Sequence, residues 1–143
     1  GEARSLQLLA NATFQKMNSE ASDDPGLQEV GLSLQRASDA VRCFREIGDK
    51  LGEASALHTS ASLLLLTRRT DEALSASREA LDLYGELGEE CLELYEMVLL
   101  GKIYLQLGHH AKARKFATLA RNMFSEVNDT RGLDSATALL GKL

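Results

Sequence analysis

Tryptophan is absent, proline occurs once and cysteine twice in these 143 residues. A single Pro25 rules out a proline-rich recognition segment and leaves long stretches in which nothing interrupts a helix. Cys43 and Cys91 are too few and too far apart for a disulfide framework, and read as reduced thiols. An intracellular, cytoplasmic chain is expected. Aromatic residues make up 5% and fall at core spacing, so no platform for stacking single-stranded nucleic acid is expected. With 16 basic and 21 acidic residues the net charge is −5, and no basic stripe exists to grip DNA or an anionic membrane. The longest aliphatic run is Leu63–Leu66, far short of the roughly 20 residues a membrane-spanning helix needs. No membrane insertion is expected. The chain opens at Gly1 without methionine or a signal-type segment, and reads as a fragment of a larger protein.

What the sequence does have is self-similarity. Gly48-Asp49 recurs forty positions on as Gly88-Glu89. Glu53, Leu57, Leu65, Ala73 and Ala80 recur as Glu93, Met97, Leu105, Ala113 and Ala120. Phe44, Tyr84 and Phe124 form one series at this spacing, and Ile47, Leu87 and Val127 another. A fixed period of this size signals stacked repeats, each too small to bury its own apolar face.

Within the repeats, apolar and small residues keep spacings of three and four. Val30, Leu34, Ala37, Ala40, Val41, Phe44 and Ile47 make one amphipathic helix over 27–47. Gly48 and Gly88 are helix stops able to take the left-handed conformation. The same reading predicts helices over 2–17, 51–67, about 71–87, 91–107, 111–127 and a terminal one within 131–143. Gly1-Glu2-Ala3 matches Gly52-Glu53-Ala54 at a shift of 51, so an insertion lies in the first unit. Residues 18–26, polar and holding Pro25-Gly26, are where it falls, either as a loop or as an extension of the flanking helices. The units are about 2–47, 51–87 and 91–127, plus the terminal helix, in a single 1–143 domain.

The stretch from Leu99 to Ala113, LLGKIYLQLGHHAKA, closely resembles the tetratricopeptide repeat pattern. That family's usual period is about 34 residues. The 40-residue spacing is similar to the longer-helix subclass of spindle-orientation and G-protein-regulating adaptors. The resemblance implies an all-α, right-handed α-solenoid of antiparallel helix hairpins, with about seven helices in three repeats and a terminal half-repeat. Small residues (Ala61, Ala73, Gly101, Ala113) would let helices approach while Leu57, Tyr84 and Tyr104 fill the gaps. The second unit departs from the pattern, with Ser60, Thr67 and Arg68 in place of the usual Leu, Leu and Gly. A generic helical bundle is the competing architecture.

In such a solenoid the first helices of successive units line a concave groove. The groove positions are Ser55, His58, Ser62, Leu65 and Leu66, which shift by 40 to Tyr95, Val98, Lys102, Leu105 and Gln106. Further shifts give Ser135, Ala138 and Lys142 at one end and Arg4, Gln7, Asn11, Phe14 and Gln15 at the other. Asn11, Ser62, Lys102 and Lys142 form one row, polar at every rung and cationic at one end. In this family such a row commonly holds a peptide's backbone or carboxylates, and the two lysines favour an acidic partner segment. The family's carboxylate clamp needs Lys and Asn where this chain has Gln7, Ser62, Tyr95 and Leu99, and only Asn11 agrees. Chaperone-tail binding is therefore disfavoured.

Nothing else in the sequence assembles chemistry. His109-His110 point about 100° apart on a helix with no Cys or carboxylate cluster beside them, so neither a metal nor a cofactor is expected. Cys91 has acidic neighbours Glu89, Glu90 and Glu93, which oppose a reactive thiolate. No nucleophile, base and orienting group come together, and no enzyme is expected. The functional expectation is a protein–protein interaction module holding a peptide or protein segment, as scaffold or adaptor. The alternatives are a structural subunit that self-associates through an exposed repeat edge, and a regulatory domain of a larger enzyme.

Overall fold

The computed structural model describes residues 2–19 and 26–143, and the side chains of 13–19 and 27 fall outside that description. Among the described residues are seven helices and no strand. They are α1 (Glu2–Ser19), α2 (Leu27–Ile47), α3 (Lys50–Leu66), α4 (Thr70–Leu87), α5 (Glu90–Gln106), α6 (His110–Glu126) and α7 (Thr130–Leu140). The expected insertion lies mostly at 20–25, outside the described residues. At its edges Asn18 and Ser19 belong to α1, and the Gly26 carbonyl accepts from the Glu29 and Val30 amides to start α2.

Helix starts fall at residues 50, 70, 90, 110 and 130, a half-period of twenty that the forty-residue repeat contains. One turn type produces it. Gly48, Arg68, Gly88, Gly108 and Asn128 all have positive φ, between 58° and 81°. The following amide then reaches back to the helix: Asp49 to Phe44 O, Arg69 to Leu64 O, Glu89 to Tyr84 O, His109 to Tyr104 O and Asp129 to Phe124 O, all within 3.0 Å. Each closes orphan carbonyls at a helix C-terminus. Arg68 pays a steric penalty that glycine avoids, since its φ of 64° crowds Cβ against backbone. Arg68→Gly is therefore expected to raise stability by about 1 kcal/mol, read by chemical denaturation. A loss of stability on that substitution contradicts the strain.

The chain divides into two compact units, Gly1–Leu83 and Tyr84–Leu143. In the first, α1 packs on α2, α2 on α3, and α1 also reaches α3. Its core includes Ala10, Val30, Ala37 and Leu63, with Leu34 against them. In the second, α5, α6 and α7 repeat that arrangement, and α5 reaches α7. Leu94, Val98, Ala117, Ala120, Phe124, Ala136 and Leu139 form its core. Ala61, Ala73 and Ala113 are fully buried, and Gly101 is buried too. A Cβ on Gly101 would stand 2.6 Å from Leu139 Cδ2 and 3.4 Å from the Ala113 carbonyl, so glycine is what lets α5 meet α6 and α7.

The junctions before α3 and α7 are built alike. Asp49 and Asp129 cap their helices by accepting from the Gly52 and Gly132 amides, both at 2.9 Å. The rings of Phe44 and Phe124 lie where a Cβ on Gly52 or Gly132 would fall, at 2.4 and 2.3 Å. The junction before α5 has Glu89, which makes no side-chain cap. The terminal helix begins at Thr130 and ends at Leu140, earlier at each end than 131–143, with residues 141–143 outside it.

Candidate functional site

In the first unit, the face shared by α1 and α3 is a closed polar network. The Gln7 amide donates to Thr59 Oγ1 at 2.6 Å, to the Ser55 carbonyl at 3.1 Å and to Asn11 Oδ1 at 3.2 Å. The Thr59 hydroxyl in turn donates to Asn11 Oδ1 or back to the Ser55 carbonyl. Gln7 is buried, and its Oε1 has no partner among the described residues. Ser62 is buried as well, its hydroxyl donating to the His58 carbonyl at 3.0 Å. His58, Ser55 and Leu65 are half-buried. Arg4 is exposed and pairs with the cap residue Asp49 at 3.3 Å. Phe14, expected on this face, has a side chain outside the described set.

In the second unit, the corresponding face of α5 and α7 has different chemistry. Tyr95 stands at the register position of Arg4 and Ser55 and donates to Asp129 Oδ2 at 2.9 Å. Its ring leans on Phe124, with centroids 4.9 Å apart. Thus Arg4 and Tyr95 do one job, tying the first helix of each unit to the cap of the next first helix. Asp129 accepts from the Gly132 amide and from Tyr95, and these bonds hold its carboxyl below the ordinary aspartate pKa. Burial, then the Asp129 bond, pushes the Tyr95 phenol up. Val98 is buried and Leu105 half-buried against the core.

Lys102 projects from α5 and Lys142 from the turn that follows α7, and both are exposed. Desolvation first, and the Lys142 charge second, lower the Lys102 pKa. Two like charges thus face a shared region, and among the described residues neither has a carboxylate partner. Elsewhere three arginines are matched: Arg42 with Asp39, Arg45 with Glu53, Arg69 with Glu72. No group of three His, Cys, Asp or Glu able to hold a metal is found among the described residues. Nor is any described helix long and apolar enough to cross a membrane.

The expected site residues therefore separate by role. Gln7, Ser62 and Val98 hold their faces together from beneath. Arg4 is tied to a cap, Asn11 is engaged by Gln7 and Thr59, and Lys102 and Lys142 come together with their charges unmatched. Thr59 and Asp129 were absent from the sequence-based set. Asp129 had a signal available, since Asp49 recurs eighty positions later with glycine three residues beyond each. Thr59 had none, because leucine holds its register position in α5 and α7, at Leu99 and Leu139.

No protein-family model matches the sequence. Over 105 residues the chain is 27% identical to the 43 kDa receptor-associated protein of the synapse from Tetronarce californica. That stretch covers 73% of this chain and 24% of that protein, so the chain spans about a quarter of the relative's length.

Proposed function

We propose that this chain is a segment of a tetratricopeptide-like α-solenoid serving as a protein–protein interaction module, an adaptor that holds an acidic segment of another protein. The observation that carries the reading is the Lys102–Lys142 pair: two neighbouring ammonium groups, one partly desolvated, with no carboxylate partner among the described residues. An anionic side chain laid between them relieves their repulsion and replaces lost solvation. The half-buried Leu105 gives an apolar neighbour, suited to an aliphatic side chain on the bound segment. The repeat geometry of α1–α3 and α5–α7 supports the solenoid, and the similar synaptic protein is named for association with a receptor.

The test is fluorescence anisotropy with a labelled peptide of alternating Glu and Leu, set against a Lys–Leu peptide of equal length. The acidic peptide is expected to bind and to weaken as salt rises, because exposed ion pairs are screened over about 10 Å at 0.1 M. Equal binding of both peptides would sink the reading.

A second reading, a self-associating structural subunit, is favoured by Leu8, 68% exposed, with Leu9 and Leu32 exposed nearby. The register counterparts of Leu8 and Leu9 in α5, Leu99 and Leu100, are buried. A second copy covering this edge would make sedimentation concentration-dependent, and Leu8→Glu is then expected to leave a monomer. A wild-type protein that stays monomeric at high concentration excludes it.

A further inference from the structure

A position where the repeat breaks its own rule marks a second site, separate from the groove. Ser60 in α3 corresponds to Leu9, Leu100 and Leu140 in the other first helices. Leu100 is 1% exposed and fills its space. Ser60 is 7% exposed, and its hydroxyl is buried with no partner among the described residues. Trading a leucine for a serine removes packing volume and strands a polar group, a combination that costs stability unless something occupies the space.

The space is there. Ser60 lines an open cleft of about 370 Å³ between α2, α3 and α4 within the first unit. Leu34, Val41, Leu57 and Leu64 supply apolar walls. The exposed Ser38, two arginines and two glutamates complete the lining, and the charges neutralise one another: Arg45 lies 3.8 Å from Glu79, and Arg69 lies 2.6 Å from Glu72. Its volume is in the range of small-molecule sites, and apolar walls with few polar groups are their usual lining.

We propose that this cleft binds a small neutral molecule with an apolar body and one hydroxyl or carbonyl head that pairs with Ser60. Neutrality follows from the rim, whose charges are already matched. The head follows from the stranded hydroxyl, and the body from the four aliphatic side chains. Leu100 closes the equivalent space in the third repeat, and Leu9 and Leu140 carry no hydroxyl, so the stranded polar group belongs to the second repeat alone.

Phenol and toluene test it, being alike in shape and differing in the hydroxyl. Each is titrated into the 143-residue protein while the methyl resonances of Val41, Leu57 and Leu64 are followed by NMR. Phenol is expected to shift them saturably and to bind roughly five-fold tighter than toluene, the worth of one neutral hydrogen bond. Ser60→Ala is expected to bring phenol down to the toluene level. Ser60→Leu is expected to abolish binding of both while thermal unfolding moves upward. The proposal is overturned by shifts that do not saturate, which mean a water-filled cleft only. It is equally overturned by phenol and toluene binding alike, or by phenol binding that survives Ser60→Ala unchanged.

Discussion

Replacing Phe124 by alanine is expected to remove most of the stability of the second unit. Phe124 is fully buried, and its ring serves three purposes at once. It packs within the cluster of Leu94, Val98, Ala117, Ala120, Ala136 and Leu139. It supports the Tyr95 ring, whose hydroxyl holds Asp129. It occupies the space that Gly132 leaves by lacking a Cβ, seating the first turn of α7. Truncating a buried phenylalanine costs about 3–5 kcal/mol, and the gap cannot collapse because Gly132 offers no side chain to fill it. A unit of this size has on the order of 3–9 kcal/mol in all. Thermal unfolding by circular dichroism, with amide exchange along α5–α7, is the measurement. Leu119→Ala on the same helix is the control, since Leu119 is 43% exposed and should cost under about 1 kcal/mol. Similar effects from the two substitutions would show that the α6–α7 junction is not the keystone described.

The helices were legible because the repeat is. Phe44, Tyr84 and Phe124 fix one helix end after another, and the start of each following helix lies a constant distance beyond. The predicted starts at 51, 91 and 111 were one residue late because Asp49, Glu89 and His109, not the residues after them, stand at the caps. Sequence spacing shows where a helix turns but not which side of a cap its first hydrogen bond falls on. The left-handed turn at Arg68 was hidden, because arginine does not announce a positive φ as Gly48, Gly88 and Gly108 do, whereas asparagine at Asn128 is a residue type enriched there.

The candidate faces were legible in part, and the divide is physical. Periodicity assigns a residue to a direction around the helix axis, which puts Lys102 and Lys142 in one row, although Lys142 follows the end of α7. It does not say how deep a position lies. Gln7, Ser62 and Val98 share those rows and are buried, because the helices approach closely enough to cover the positions flanking their contact line. Whether a polar residue there is satisfied depends on its opposite number: Gln7 needs Thr59, and no pattern along one helix contains both.

Reversing both charges of the lysine pair is expected to weaken the acidic peptide by about four-fold or more. Exposed ion pairs contribute about 0.2–1 kcal/mol each, and replacing attraction by repulsion at two points roughly doubles the change at each. Lys102 should dominate, since packing around it limits solvent screening more than at an isolated surface lysine. The pH profile separates this from a general loss of surface charge. Peptide carboxylates favour the charged ammonium, so affinity is full below the Lys102 pKa and falls as pH rises through it. That pKa lies under the usual lysine value because of desolvation and Lys142, so wild-type binding should begin to fail at a lower pH than lysine ordinarily dictates. Lys142→Gln removes the like charge, and the alkaline limb should then move upward even as affinity drops. Anisotropy titrations of wild type, Lys142→Gln and Lys102→Glu/Lys142→Glu across pH and salt, with circular dichroism confirming helicity, decide the matter. An intact double variant that keeps wild-type affinity and salt dependence places the acidic segment on another surface.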